Sequence, residues 1–313
     1  MGSLNLIKGN ITILGIKGVL KVLYSRLFII FKKKNPKIGY FFLEKKHNIM
    51  RRFLKRIDKK SISENNVCIP LKDECVNNTI WIFWWQGENA TPLIVQRCIN
   101  SIKRHSVGYN IVVITGNNIQ DYITLPEKIL SKVGKTLSYT HFSDLVRLAL
   151  LSSYGGGWID ATLMLTKDLP SELKDSHFFT IKNKEKPFFC VSNYRWTIGF
   201  IFAKKDTPII KELYRLFLYY WEHYNDRIDY FFLDYCLDYL YEKEKSYRDL
   251  IDNVKESNPR MFEDGFLKYA DLPYNTDLYN SILENTWCHK LTYKQAFSNN
   301  KNTMLNHLIN IYA

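Results

Sequence analysis

Two observations predict an α/β fold. From Thr79 onward the chain reads strand, helix, strand, turn: a β-rich aromatic run at 79–85, a helix opened by Thr91 and Pro92 and continuing to about 105, a second β-rich run at 109–115, and the turn Gly116-Asn117-Asn118. That alternation belongs to βαβ units in a sheet whose faces are covered by helices. The second observation is the stretch 142–170, FSDLVRLALLSSYGGGWIDATLMLTKDLP, in which an amphipathic helix stops at three glycines and a strand follows. Apolar residues recur at helical spacing through Phe142, Leu145, Val146, Leu148, Ala149 and Leu151. Gly155, Gly156 and Gly157 end the helix and permit backbone angles closed to other residues.

In the strand after the glycines, Trp158, Asp160 and Thr162 share one face because side chains alternate. A carboxylate in such an apolar run costs free energy unless it is paired, hydrogen-bonded or bound to a metal, so Asp160 demands a partner. Asp144 and Arg147, three apart, lie together at the edge of the helix's apolar stripe. They read either as a surface ion pair of little consequence or as a functional pair. In the second case the carboxylate accepts from sugar hydroxyls and the guanidinium grips phosphate oxygens.

The remaining elements follow in order. Strands are expected at 178–181, 188–191 and 198–203, and helices from 208 to about 224 and from 228 to about 241. The last fifty residues are polar and irregular apart from 286–294. No internal repeat or low-complexity segment is present.

The net charge of +13 over 313 residues is concentrated at one end. Residues 1–60 hold sixteen Lys or Arg against only Glu44 and Asp58, whereas the other 253 residues carry 28 basic and 29 acidic groups. A nucleic-acid binder spreads basic groups over its folded surface, so this appendage points to anionic lipid in preference to nucleic acid. Residues 11–31 are apolar, but Lys17, Lys21 and Arg26 interrupt them, and no uncharged run reaches the roughly 18–20 residues of a bilayer span. Lys17, Lys21 and Ser25 form one polar stripe, and Lys32, Lys33, Lys34 and Lys37 follow directly, the pattern of an interfacial helix with a polybasic flank. No small-residue cleavage site accompanies it, which argues against a removed signal peptide. A second basic helix is expected at 41–60. The division is then a membrane-associating helical segment at 1–60, a polar linker at 61–78 and the main domain at 79–313. Six cysteines without C-x-x-C spacing read as reduced, mostly buried thiols.

Ser143-Asp144-x-x-Arg147, then Tyr154-Gly-Gly, then an apolar strand bearing Asp160 resembles nucleotide-sugar glycosyltransferases of the GT-A fold. More narrowly it resembles the capsular polysaccharide synthesis proteins, similar to glycosyltransferase family 32 and distantly to the glucosylating toxins. The likeness runs from about Thr79 to Lys294. It takes in Phe83-Trp84-Trp85-Gln86-Gly87, the Trp158–Thr162 strand, Trp196 through Phe202-Ala203, residues 228–235 and the segment from His289 to Lys294.

The resemblance implies a Rossmann-like central sheet flanked by helices. It also implies that Trp84, with Phe83, Trp85 and Gln86 as neighbours, stacks on the uracil of a UDP-sugar. Asp144 would hold donor-sugar hydroxyls and Arg147 would approach the sugar or pyrophosphate. Gly156, Gly157, Ala161, Thr162 and Lys290 would line the donor site. Asp160 would be the first carboxylate of the D-x-D motif, whose second position is here Thr162, a weaker ligand. The resemblance favours Mn²⁺ or Mg²⁺ all the same. Three arrangements stay open: Asp160 with water and diphosphate, Asp160 with His289, or no metal.

Asp234 is the candidate for acceptor contact. An inverting enzyme would require a carboxylate base near the acceptor, while a retaining front-face route needs no dedicated base. The activity implied is a bacterial UDP-hexose-dependent hexosyltransferase, peripheral on the cytoplasmic face of the cell membrane. UDP-galactose or UDP-glucose would be the donor and a polyprenyl-diphosphate-linked sugar the acceptor. A toxin-like enzyme acting on host proteins and a catalytically inactive membrane-bound adaptor, with Thr162 marking a lost ligand, are the alternatives.

Overall fold

A computed structural model describes residues 2–64, 71, 78–174, 176–183, 191–262, 264–298 and 300–313, with side chains from residue 6 onward. Three helices open the chain: α1 (Gly2–Leu14), α2 (Ile16–Lys34) and α3 (Pro36–Ser61). The α/β body follows with β1 (Thr79–Phe83), α4 (Leu93–His105), β2 (Asn110–Ile114), α5 (Glu127–Leu130), α6 (Tyr139–Tyr154), β3 (Gly156–Ile159), β4 (Leu163–Leu165), β5 (Phe178–Thr180) and β6 (Phe200–Ala203). It ends with α7 (Pro208–His223), α8 (Phe232–Lys243), α9 (Lys245–Asp252), α10 (Phe266–Tyr269), α11 (Thr276–Leu283), β7 (Cys288–Lys290) and α12 (Met304–Asn310).

The main sheet has the order β2-β1-β3-β6-β5. β1 is parallel to β2 and to β3, while β6 runs antiparallel to β3 and β5. Helices cover both faces, which fits the expected GT-A-like arrangement. Alternation along β1 shows how: Trp81 and Phe83 enter the core under α6, α7 and α8, whereas Ile80 and Ile82 enter the core under α4. β3 approaches its neighbours closely enough to require glycine. A Cβ at Gly156, where φ is +90°, would lie 2.3 Å from the Thr79 carbonyl oxygen, and one at Gly157 would strike the Phe202 ring at 2.4 Å. β4 and β7 form a separate antiparallel pair beside the end of β3.

Two expectations are corrected. The boundary at residue 60 does not separate two structural units. Met50, Phe53, Leu54 and Ile57 of α3 belong to the main core, and Asp58 accepts from Arg215 of α7 at 2.6 Å and from the Tyr239 hydroxyl of α8 at 2.8 Å. The amphipathic pattern of 41–60 is therefore a packing face on the protein itself. The C-terminal region is also more ordered than its polar composition suggested: α10, α11 and α12 bury Phe266, Tyr279, Ile282, Met304, Leu305 and Leu308 against Cys98 of α4.

Most of the linker expected at 61–78, and most of the strand expected at 188–191, lie outside the described residues, as do Cys68, Cys75 and Cys190. Cys98, Cys236 and Cys288 are buried free thiols. No described helix is long and apolar enough to cross a membrane.

Because α3 is core, Phe53→Ala should lower the stability of the whole chain by about 3–5 kcal/mol, the range for emptying a buried aromatic site. Urea unfolding of full-length protein measures this, and a loss below about 1 kcal/mol would contradict the packing described.

Candidate active site

The site assembles at the carboxyl ends of β1 and β3, where ligands of open α/β sheets bind. α6 is capped by the Ser138 side chain and stops at Gly155, whose φ is +71°. Its face toward the sheet end presents Asp144 and Arg147, bonded to each other at 2.8 Å. β3 delivers Asp160 just past its last residue. Asp160 Oδ1 accepts from Arg147 Nη2 at 2.9 Å and from Trp158 Nε1 at 2.9 Å. Its Oδ2 faces Lys290 Nζ of β7 at 3.3 Å, and that ammonium donates to Thr162 Oγ1 at 2.8 Å. Arg147 also stacks on the Trp158 ring, 4.7 Å from its centroid. Gly199 leaves the room this carboxylate needs, since a Cβ there would lie 2.5 Å from Asp160 Oδ2.

Asp234, in the first turn of α8, completes the acidic group and accepts from Trp196 Nε1 at 3.0 Å. The loop before α8 brings Tyr230 alongside. Its carbonyl accepts from His141 Nε2 at 3.1 Å, and His141 lies one turn before Asp144 on α6. Tyr230 and Phe231 are 48% and 43% exposed, with rings edge to face at 5.0 Å. That loop is tied down by the N-terminal helices. Lys21 of α2 donates to the Ile228 carbonyl at 2.8 Å and pairs with Asp229 at 2.7 Å, and Asn10 of α1 donates to the same carbonyl at 2.9 Å. Lys21, expected on the polar stripe of an interfacial helix, is only 3% exposed because it turns inward onto this loop.

The acids differ in proton affinity for physical reasons. Burial pushes Asp144 up to about 7 against the pull of Arg147, with Asp160 and Asp234 adding to the rise. Burial likewise lifts Asp234 to about 6 although Trp196 donates to it and Arg147 is near. Burial works the same way on Asp160, but Lys290, Arg147 and the Trp158 N–H overcome it and hold that carboxyl at about 2. Asp160 is therefore the standing negative charge of the site.

The sequence-predicted residues divide into those brought together and those not. Asp144, Arg147, Asp160, Thr162, Lys290 and Asp234 converge. The three rings at the end of β1 diverge: Phe83 and Trp85 pack on Phe142, whereas Trp84 turns to the opposite side and meets Tyr293 edge to face at 5.3 Å. Trp84 is thus on the side of the segment that carries Lys290, and its buried Nε1 has no hydrogen-bond partner among the described residues. Gln86 is exposed in the turn after β1.

Gly156 and Gly157 are not brought to this cluster. They lie at the far end of β3, roughly 10–13 Å from Asp160 at the rise of a strand, and serve close packing. Ala161 points into the core. His289 does not reach Asp160, because neighbours on β7 point oppositely. It is fully buried against Phe266, with Nε2 at 3.2 Å from Thr166 Oγ1, and burial drives its imidazole down to about 3.

The expected Mn²⁺ or Mg²⁺ does not fit the residues present. Asp160 Oδ1 is engaged by two N–H donors, and an ammonium already bridges Oδ2 and Thr162. Among the described residues, Asp160 joins no group of three acidic, histidine or cysteine ligands within metal-binding reach of one another.

Sequence reasoning missed Trp158, Trp196, Tyr230 and Gly199. Period-two spacing already put Trp158 on the face of Asp160, which was the available signal. The other three depend on tertiary packing.

The comparisons with known proteins show the family. The family model described as capsular polysaccharide synthesis protein matches residues 29–308. The O-glycosyltransferase braB of Annulohypoxylon truncatum is 28% identical over 187 residues, covering 53% of this chain and 43% of that protein. The glycosyltransferase afumC of Aspergillus fumigatus is 26% identical over 186 residues, covering 53% and 46%. The chain thus spans less than half the length of these curated relatives. Among solved structures, the PaToxG glycosyltransferase aligns at 16% identity and a TM-score of 0.38, covering 65% of this chain and 82% of that one.

The Asp144 carboxyl binds its proton more tightly in the fold, at about 7, than in an unfolded chain, at about 3.9. Between those values the folded state holds the extra proton, so stability falls as pH rises through the window. Asp144→Asn should flatten that fall in Tm between about pH 4 and about pH 7. A variant with an undiminished slope would show that Asp144 titrates normally.

Proposed function

We propose, for a chain that belongs to the capsular polysaccharide synthesis family, transfer of a hexose from a UDP-sugar to a lipid-linked saccharide during assembly of a capsule or exopolysaccharide repeat unit. The observation that carries this reading is the convergence of Asp144, Arg147, Asp160 and Lys290 at the carboxyl ends of the sheet, with Trp84 against Tyr293 of the segment that carries Lys290. Two cations set among acids suit a donor with a diphosphate on one side and hydroxyls on the other. Trp84, whose indole N–H has no hydrogen-bond partner among the described residues and whose ring meets Tyr293 edge to face, supports a base-stacking wall. UDP-galactose and UDP-glucose are the donors proposed.

Departure of UDP places charge on the diphosphate, so the protein's task is mainly positioning and electrostatic stabilisation. Arg147 and Lys290 supply positive charge, and Asp144 orients sugar hydroxyls. The route proposed retains anomeric configuration, with the departing phosphate oxygen taking the acceptor's proton. Asp234 and the exposed Tyr230–Phe231 pair border the same space from the α8 side and suit an acceptor sugar ring. A lipid-linked acceptor calls for a membrane surface. Ile16, Val19, Leu20, Leu23, Ile29 and Ile30 of α2 point outward, followed by Lys32, Lys33 and Lys34. That apolar face with a basic end supports peripheral binding to anionic lipid at the cytoplasmic face.

Calorimetry with UDP, and acceptor-free hydrolysis of UDP-galactose and UDP-glucose, test the donor. Asp160→Ala should abolish turnover, and Thr162→Ala should leave measurable turnover. Absence of both UDP binding and hydrolysis in the wild type would return the chain to an inactive adaptor.

The membrane surface predicts that the full chain floats with anionic liposomes and that Ile29→Glu with Ile30→Glu reduces the bound fraction at least tenfold. Tyr230→Ala should raise the acceptor KM while leaving UDP affinity within twofold. Equal flotation of variant and wild type would remove α2 from the interface.

A further inference from the structure

We infer that the Lys290 ammonium does the work of a divalent ion, so that the donor diphosphate is held and released without a bound metal. The inference rests on the UDP-hexose reading and deepens it.

Three observations carry it. Lys290 Nζ lies between the two positions of the motif, 3.3 Å from Asp160 Oδ2 and 2.8 Å from Thr162 Oγ1. It is held there by regular structure. Lys290 pairs with Leu163 in the β4–β7 ladder, its N–H donates to the Met261 carbonyl at 3.0 Å, and the next residue's N–H donates to the Thr162 carbonyl at 2.9 Å. An ammonium has three N–H donors, of which Asp160 and Thr162 take two. With the Lys290 side chain 35% exposed, the third is left for a ligand at the site.

The charge balance explains Thr162. Two carboxylates with a divalent cation sum to zero, and so do Asp160, a neutral Thr162 and a monovalent ammonium. A second carboxylate at 162 would cancel the ammonium and leave a net negative site facing the diphosphate. A hydroxyl accepts the same N–H without spending its charge. The departure of D-A-T from D-x-D and the presence of Lys290 are thus two halves of one exchange.

In the transfer step the bond between hexose C1 and the β-phosphate oxygen breaks, and its electron pair stays on that oxygen. The acceptor oxygen bonds to C1, and the acceptor's proton passes to the departing phosphate oxygen. Lys290 remains protonated throughout. It donates a hydrogen bond to the oxygen on which charge develops, the role of a preorganised oxyanion donor.

UDP affinity by calorimetry and acceptor-free UDP-hexose hydrolysis, each measured in EDTA and in Mn²⁺, test this. Wild type should give values within twofold in the two conditions. Lys290→Met should lose about 10²- to 10³-fold in turnover, the scale for removing one such donor, and Mn²⁺ should not restore it. Lys290→Arg should recover part of the loss. Wild-type turnover that drops more than tenfold in EDTA and returns with Mn²⁺ overturns the inference while leaving the UDP-hexose reading intact. A wild type that binds no UDP in either condition overturns that reading and the inference with it. Should Lys290→Met fail to fold, the wild-type comparison decides alone.

Discussion

A carboxylate at the end of a buried strand persists only where positive charge and hydrogen-bond donors meet it, and Asp160 is met from three directions. α6 contributes Arg147, β3 contributes Trp158 two residues earlier, and β7 contributes Lys290 from 130 residues further on. Glycines let β3 pack tightly between β1 and β6, and Gly199 opposite the carboxylate leaves it room. The small β4–β7 ladder is part of the same arrangement, since it holds the Lys290 backbone in place. The C-terminal helices bury the other face of that ladder and so support the site from behind.

The N-terminal helices are tied to the site by a buried ion pair rather than by the sheet. Lys21 and Asp229 give up solvation to meet, and such pairs stabilise little compared with apolar packing of equal volume. What the pair specifies is where the loop carrying Tyr230 and Phe231 sits. Burial pulls the Lys21 proton affinity down and Asp229 opposes that fall, so each partner keeps the other charged. α3 adds a second tie: Arg51 and Arg195 both grip Asp238, one turn beyond Asp234 on α8, and Arg195 stacks on Trp196, which donates to Asp234. The N-terminal helices, the loop that carries Tyr230 and Phe231, and Asp234 thus share one support.

The sheet and its order of elements were legible because they rest on local signals. Alternation around Trp158 and Asp160, Pro92 before α4, and the glycines after α6 each have a one-residue physical cause. The pairing of Asp144 with Arg147 was legible for the same reason. His289 was misread because spacing places it beside Lys290 in the chain, whereas a strand sends neighbours to opposite faces. Lys21 was misread because a basic residue on an apolar helix looks solvent-facing until its partner, 208 positions away, is known. The C-terminal helices escaped notice because four to eight residues are too few to establish a period. Their burial comes from packing on α4, which no local pattern encodes.

The Lys21–Asp229 tie also sets a schedule. Translation releases the N-terminus first, at about 5–20 residues per second, so roughly ten to forty seconds separate the appearance of Lys21 from that of its partner. Throughout that interval Lys21 lacks the Asp229 carboxylate with which it pairs in the complete chain. Docking of the loop that carries Tyr230 and Phe231 onto α2 therefore waits until most of the chain has been made.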